Sequence, residues 1–259
     1  NAQVLARAQA FADSVGPQML ERALSWAYLS ETEGSFAIEG ETPTQDKASR
    51  FAALLKRAHD PRPLTEEYLV ELQNATVTNP FDQAAQFRKE QNRLQGNALG
   101  AAGVTYVPPP PELCVELMEQ LMVLSNWRPQ GLDPVVHAGL VSFAFVFLHP
   151  FMDGNGRLSR FVFHKALCTS GRLVKGQLLP VSVAMKRHEA QYLAALQSFS
   201  KPARERVQVT WIDEGEYRFE FKTDASIFRF WDATRCVEFG FQMAAQALRT
   251  AAMVARKRG

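Results

Sequence analysis

Apolar residues recur at helical spacing along most of this chain. Leu20, Ala23, Leu24, Ala27 and Tyr28 fall on one helical face, with Pro17 near the start of the helix. Phe51, Leu54, Leu55 and Ala58 form a second amphipathic face, closed by Asp60-Pro61-Arg62-Pro63. Thr65-Glu66-Glu67 has the hydroxyl and carboxylates of a capped helix start. Pro134 to Leu148 is apolar on almost every side, which predicts a helix through the middle of the protein. Its successor, Arg157 to Cys168, turns Leu158, Phe161, Val162 and Leu167 inward and stops at Ser170-Gly171.

The helical texture breaks twice. From Gly96 to Pro111, small residues lead into the β-prone Val104-Thr105-Tyr106-Val107 and then four prolines. That stretch reads as a short exposed hairpin or flap, with a plain linker as the alternative, followed by a helix from Glu112 to Leu124. After Lys201, Val207, Val209 and Trp211 alternate, Asp213 to Glu216 can turn, and Tyr217, Phe219 and Phe221 alternate back, a hairpin with one apolar face. A last helix is predicted over Ile227 to Val254. The expected fold is mainly α with these two hairpins, in three regions: 1–80, 81–200 and 201–259.

Composition narrows the function classes. With 46% hydrophobic and 22% charged residues, the 259-residue chain can bury a sizeable core and general disorder is excluded. A net charge of +2 gives no electrostatic argument for nucleic acid or a membrane surface. Only Arg256-Lys257-Arg258 is locally basic, and it reads as a solvated helix end. The most apolar run, Val135 to Leu148, is interrupted by His137 and Ser142 and falls short of the roughly 18 residues expected of a membrane span. Cys114, Cys168 and Cys236 lie far apart and form no CxxC pair, which fits a reduced cytoplasmic chain better than a disulfide framework or zinc knuckle. No signal peptide is visible, and the chain begins at Asn1 rather than Met.

The chemistry concentrates in His149 to Arg160, between the two central helices. Pro150 disfavours helical backbone at His149, so the buried helix should end there, with Phe151 anchoring the loop in the core. Asp153-Gly154-Asn155-Gly156 is a tight turn whose glycines allow backbone N–H groups close to a ligand. The next helix starts at once, offering unpaired N–H groups and a positive dipole end, and Arg157 and Arg160 reach forward from its first turn. Such a site suits a polyphosphate. Asp153 adds a hard oxygen for Mg²⁺, and His149 is a base titrating near neutral pH at the lip. Taken singly, each element also has a structural reading: a histidine before proline, an ordinary turn, solvated arginines.

Residues 149–160, HPFMDGNGRLSR, match the pattern HxFx[D/E]GNGRxxR and thereby resemble the Fic family of adenylyltransferases. The resemblance extends from about Phe87 to Tyr192 and takes in Phe87-Arg88 and Tyr106-Val107-Pro108 to Glu112. It implies a Fic-type helical core that moves AMP from ATP onto a protein hydroxyl, with His149 as the base. By the same resemblance Asp153 would hold Mg²⁺, and Gly154, Asn155 and Gly156 would stabilise the α-phosphate. Arg157 and Arg160 would hold the β- and γ-phosphates. Tyr192 aligns with aromatics near adenine, with helix packing as the alternative, and Thr105, Tyr106 and Val107 would pair edge-on with a target segment.

Upstream, Ser35-Phe36-Ala37-Ile38-Glu39-Gly40 matches [S/T]xxxE[G/N], an inhibitory motif of many Fic proteins. Ser35 and Glu39 share one helical face, and Gly40 permits a helix stop. The resemblance implies a bidentate Glu39–Arg160 ion pair in the place of the γ-phosphate. The expected partners are therefore ATP and a hydroxyl-bearing protein, with a homo-oligomer compatible. Two other readings keep the scaffold: removal of AMP or transfer of another phosphate-linked group, and a regulatory module without turnover.

Overall fold

The structure, a computed structural model, describes residues 3–77 and 79–257. Helices α1 (Gln3–Ser14), α2 (Pro17–Ile38), α3 (Gln45–Lys56) and α4 (Glu66–Thr76) form the N-terminal part. Strands β1 (Leu94–Gln95) and β2 (Val104–Tyr106) pair antiparallel ahead of α5 (Pro111–Asn126), α6 (Pro134–Leu148) and α7 (Asn155–Cys168). Then follow α8 (Val181–Arg187), α9 (Glu189–Glu205), the antiparallel pair β3 (Val207–Asp213) and β4 (Glu216–Phe221), α10 (Ser226–Arg229) and α11 (Thr234–Lys257).

Helix α6 is the axis of the fold and packs against α5, α7 and α11. Its all-round apolar character follows from that position, and each of its polar interruptions finds a partner inside, with only His137 Nδ1 left unpaired. His137 Nε2 bonds the Leu124 carbonyl at 2.8 Å, and the Ser142 hydroxyl donates to the Ser159 carbonyl at 2.9 Å. Caps set the boundaries where the sequence supplies them. Thr65 accepts from Tyr68 N at 3.2 Å, and Asp133 accepts from Val135 N at 2.8 Å. At the end of α2, Gly40 adopts φ 72°, Gly40 N–H donates to the Ala37 carbonyl and Glu41 N–H donates to the Phe36 carbonyl. That paired bonding is a Schellman stop, the use expected of a glycine there.

The C-terminal third departs from expectation. Helix α9 runs through Pro202 to Glu205, past the change of texture at Lys201. The single helix predicted over Ile227–Val254 is divided into α10 and α11, because Trp231 leaves the helical path to pack on Phe147 with ring centroids 5.1 Å apart. Asp232 then caps the restart, accepting from Thr234 N at 2.9 Å. The β3–β4 hairpin has the predicted apolar face, with Val209 opposite Phe219. That face covers Val104 and Val107, so the two hairpins pack on one another. One continuous core runs from Val4 to Leu248 and includes residues of all three regions. Arg256 and Lys257 lie in the last turn of α11, and Arg258 lies outside the described residues.

Candidate active site

The loop between α6 and α7 is clamped on every side by groups distant in sequence. Helix α6 ends at His149 as Pro150 requires, but with φ 52°, in the left-handed region rather than the extended one. His149 is the one non-glycine residue with positive φ among the described residues, the kind of strain that surrounding structure must impose. The buried Arg88 imposes it: Nε donates to the His149 carbonyl at 2.8 Å, Nη2 to the Pro109 carbonyl at 2.6 Å, and the Arg88 N–H to the Pro150 carbonyl at 2.8 Å. Phe151 is fully buried, edge-on to Phe87 at 5.5 Å, so the anchoring expected of it is met. Asn92 Nδ2 donates to the Phe151 carbonyl at 3.0 Å and Gln73 Nε2 to the Asp153 carbonyl at 3.3 Å.

Asn155 has a task within the loop itself. Its Oδ1 accepts from Phe151 N at 3.0 Å and its Nδ2 donates to the Phe151 carbonyl at 2.8 Å. Both ends of the carboxamide are thus engaged in shaping the loop, while the second Nδ2 hydrogen is left over on a residue that also lines the cleft. Gly154, at φ 84°, brings the chain into α7, whose first N–H groups face outward from the helix start.

The imidazole of His149 has its tautomer set by a neighbour. Nδ1 lies 2.8 Å from the Val146 carbonyl, which can only accept, so Nδ1 carries the proton and Nε2 keeps its lone pair. Burial lowers the pKa of the ring, against the opposing hydrogen bond to Val146, and Arg88 lowers it further. The neutral, basic form is favoured.

Two arginines lie behind the loop. Arg160 is 1% exposed; Nε donates to Ser35 Oγ at 2.8 Å, and Nη2 donates to the Ser35 carbonyl at 3.0 Å and to Glu39 Oε1 at 2.7 Å. The Glu39 contact is therefore through a single oxygen rather than bidentate. The Glu39 carboxylate also lies over Gly156, where any Cβ would collide with it. Arg157 donates to Asp153 Oδ2 at 3.2 Å and, in a contact not foreseen, to Glu41 Oε2 at 3.4 Å. Arg157 Nε and Arg160 Nη1 are buried without a hydrogen-bond partner.

These groups open on a cleft of about 540 Å³ whose walls include His149, Asp153, Gly156, Arg157, Glu39 and Tyr192. Tyr192 is both a core and a cleft residue, since it stacks on Phe239 at 5.6 Å while facing Arg160 and Glu39. The Thr105–Val107 flap keeps most of its side chains out of solvent. Tyr106 and Val107 are buried, with the Tyr106 hydroxyl donating to the Phe147 carbonyl at 2.7 Å, and only Thr105 faces out. Leu94 and Gln95 of β1 line the cleft instead. Alternation alone could not tell which strand of so short a hairpin faces the site. Arg88, Asn92 and Gln73 were missed as loop clamps, since nothing local marks a polar residue that acts on a distant carbonyl.

The Fic/DOC family profile matches residues 63–167. The chain is similar to proteins named protein adenylyltransferase Fic: 26% identical over 188 residues to that of Nematostella vectensis, covering 64% of this chain and 43% of the relative. It is 30% identical over 192 residues to that of Drosophila grimshawi, covering 67% and 38%. It thus spans about two fifths of the length of these curated relatives. In fold it is similar to a Fic domain containing signaling protein from Bacteroides thetaiotaomicron, with TM-score 0.68 at 19% identity over 98% of this chain and 96% of the other. It is also similar to Fic-1 (residues 134–508) from C. elegans, with TM-score 0.63 at 16% identity over 98% and 70%. The matched profile, the helical fold and the clamped HPFMDGNGRLSR loop agree: residues 63–167 of this chain form a Fic/DOC family domain.

Proposed function

We propose that this protein transfers AMP from ATP to the hydroxyl of a Ser, Thr or Tyr side chain of a target protein, and that Glu39 restrains the transfer. One juxtaposition carries the reading: a histidine with a free basic nitrogen stands beside a helix N-terminus backed by two buried arginines. Each arginine keeps an N–H group without a partner, Arg157 Nε and Arg160 Nη1, and such groups favour an anion as occupant. The cleft volume is within the range of small-molecule sites.

In this mechanism His149 Nε2 accepts the proton of the target hydroxyl, whose oxygen attacks the α-phosphorus. The bond from that phosphorus to the bridging oxygen breaks, and pyrophosphate leaves. The N–H groups at the start of α7, with Gly154 and Gly156 allowing close approach, stabilise the charge that develops on the α-phosphate. Asn155 contributes by holding the loop in shape. Arg157 and Arg160 orient the β- and γ-phosphates, since transfer of this kind depends on positioning and charge stabilisation.

Asp153 suits Mg²⁺ arriving with the phosphates: its side chain is 48% exposed, Oδ2 meets Arg157, and Oδ1 makes no hydrogen bond. The ion would neutralise charge on the departing pyrophosphate. Among the described residues no group of three or more His, Cys, Asp or Glu could hold a metal without such phosphates.

Glu39 occupies the Arg160 fork that a γ-phosphate needs, and an ion pair with a guanidinium 2% exposed is a strong competitor. The expected result is that labelled-ATP transfer in a lysate rises at least tenfold for Glu39→Gly and disappears for Glu39→Gly/His149→Ala, which still binds ATP. No rise in the single variant would remove the brake. Loss of ATP binding in the double variant would remove His149 as a base with a purely chemical role. A second reading, removal of AMP, draws on the second Glu39 oxygen, which makes no hydrogen bond at the cleft and could orient a water. Incubation with an AMPylated substrate separates the two.

A further inference from the structure

Helices α2 and α7 meet through side chains at three successive turns in one antiparallel register. Glu31 Oε1 lies 2.7 Å from His164 Nε2, Ser35 Oγ accepts from Arg160 Nε at 2.8 Å, and Glu39 lies against Gly156. Contacts advance four residues at a time along α2 and retreat four at a time along α7, so one stripe of each helix supplies them all. The Glu31 contact is closed to solvent, as the Ser35 contact is: Glu31 and Ser182 are 0% exposed and His164 is 1% exposed. Ser182 closes the cluster from α8, donating its N–H to Glu31 Oε2 at 2.8 Å and its hydroxyl to Oε1. None of the three lines the cleft.

Burial pushes the Glu31 carboxyl up, but His164 and the two Ser182 hydrogen bonds outweigh it and leave its pKa below the ordinary value. A charged carboxylate therefore sits in the core with all its partners in place. A slide of α2 along α7 would strand that charge without them, which is among the most unfavourable events in a protein interior. A buried group of this kind fixes register, as polar residues at helix interfaces do elsewhere. Helix α2 continues unbroken from Glu31 to Ile38, with Glu39 as its C-cap, about 12 Å at the usual helical rise, so a register fixed at Glu31 is passed on to Glu39. Next to Glu31, Gly34 lets the α8 backbone approach so closely that a Cβ would lie 2.7 Å from Val183 N, which leaves little room for lateral adjustment.

We propose that Glu31 is the positioning residue of the brake: its cluster with His164 and Ser182 sets the register of α2 on α7 that brings the Glu39 carboxylate onto Arg160. The inference rests on the reading of Glu39 as a brake and deepens it. A purely structural role for Glu31 gives the opposite outcome, because a destabilised enzyme loses activity, whereas a misplaced brake gains it.

The experiment compares wild type, Glu31→Gln, Glu31→Leu, Glu39→Gly and a core-loosened control, Phe228→Leu, in ATP·Mg²⁺ affinity by calorimetry and in labelled AMP transfer. Glu31→Gln is expected to bind ATP several-fold more tightly than wild type and to transfer several-fold faster, short of Glu39→Gly. In the double variant with Glu39→Gly it adds nothing further, and the control shows no gain. Wild-type or lower affinity in Glu31→Gln, beside a clear gain in Glu39→Gly, overturns the positioning role alone. No gain in Glu39→Gly overturns the brake itself, and the positioning role with it. Should Glu31→Leu fail to fold, amide exchange in Glu31→Gln decides. Faster exchange of Gly40 and Glu41, whose N–H groups donate to Ala37 and Phe36, is expected, and unchanged protection there overturns the proposal.

Discussion

At the scale of single residues, His149 brings together strain, tautomer and titration. Its left-handed backbone is held by Arg88 on its own carbonyl, and its ring by the Val146 carbonyl. Burial depresses its pKa below 6.5, while the nearby Glu39 and Asp153 carboxylates oppose that shift. The proposed base works deprotonated, so the acid limb of the proposed transfer should have its midpoint below pH 6.5, and removal of Glu39 should move it lower still. A pH–rate profile of Glu39→Gly checks this, and a midpoint above 6.5 would contradict the environment described here. Arg160 and Glu31 share the same theme. Each is buried, charged and fully dependent on partners from another helix.

At the scale of elements, α2 is fixed both by its polar seam to α7 and by its close contact with α8. Gly34 is where α2 and α8 come closest, and there the obstacle to a side chain is backbone at Ser182 and Val183, which cannot rotate away. Gly34→Ala should therefore lower stability by about 1–3 kcal/mol, the usual cost of overpacking, despite the better helix propensity of alanine. Denaturant unfolding measures it, and a neutral or stabilising result would mean that the helices separate with little resistance. The loop before α7 shows the reverse arrangement. Its shape comes from a local pair, Asn155 with Phe151, and is then locked by Arg88, Asn92 and Gln73 from outside.

At the scale of the whole molecule, the N-terminal helices that carry Glu39, the proposed brake, and the C-terminal helix α11 share one core with the helices on either side of the His149 loop. The Glu31 cluster lies inside that core, and its carboxyl has a lowered pKa in the folded state. The folded chain then binds fewer protons than the unfolded chain as pH falls through the carboxylate range. This contribution is complete above the ordinary value of 4.5 and is lost as pH falls through the depressed one. Acid titration of stability should accordingly show a steeper loss below pH 4.5 in wild type than in Glu31→Gln, followed by circular dichroism. Identical slopes would remove Glu31 from the acid response. No helix among the described residues is long and apolar enough to cross a membrane.

Much of the site was legible in the sequence because its parts are contiguous. His149, Asp153, Gly154, Gly156, Arg157 and Arg160 fall within twelve positions, and helix ends and glycine turns obey rules that act over a few residues. The boundaries of α6 and the stop at Gly40 follow from the same local rules. Only the tertiary structure decided that Glu31 is buried in a cluster and that Glu41 reaches Arg157, because no motif set these two apart from the other acids near them, as one did for Glu39. It also decided that β1 rather than β2 faces the cleft, that Asn155 braces the loop, and that Trp231 breaks the last helix. Each of these depends on partners dozens of positions away, and pairing energy between distant residues leaves no periodic trace in the chain that carries them.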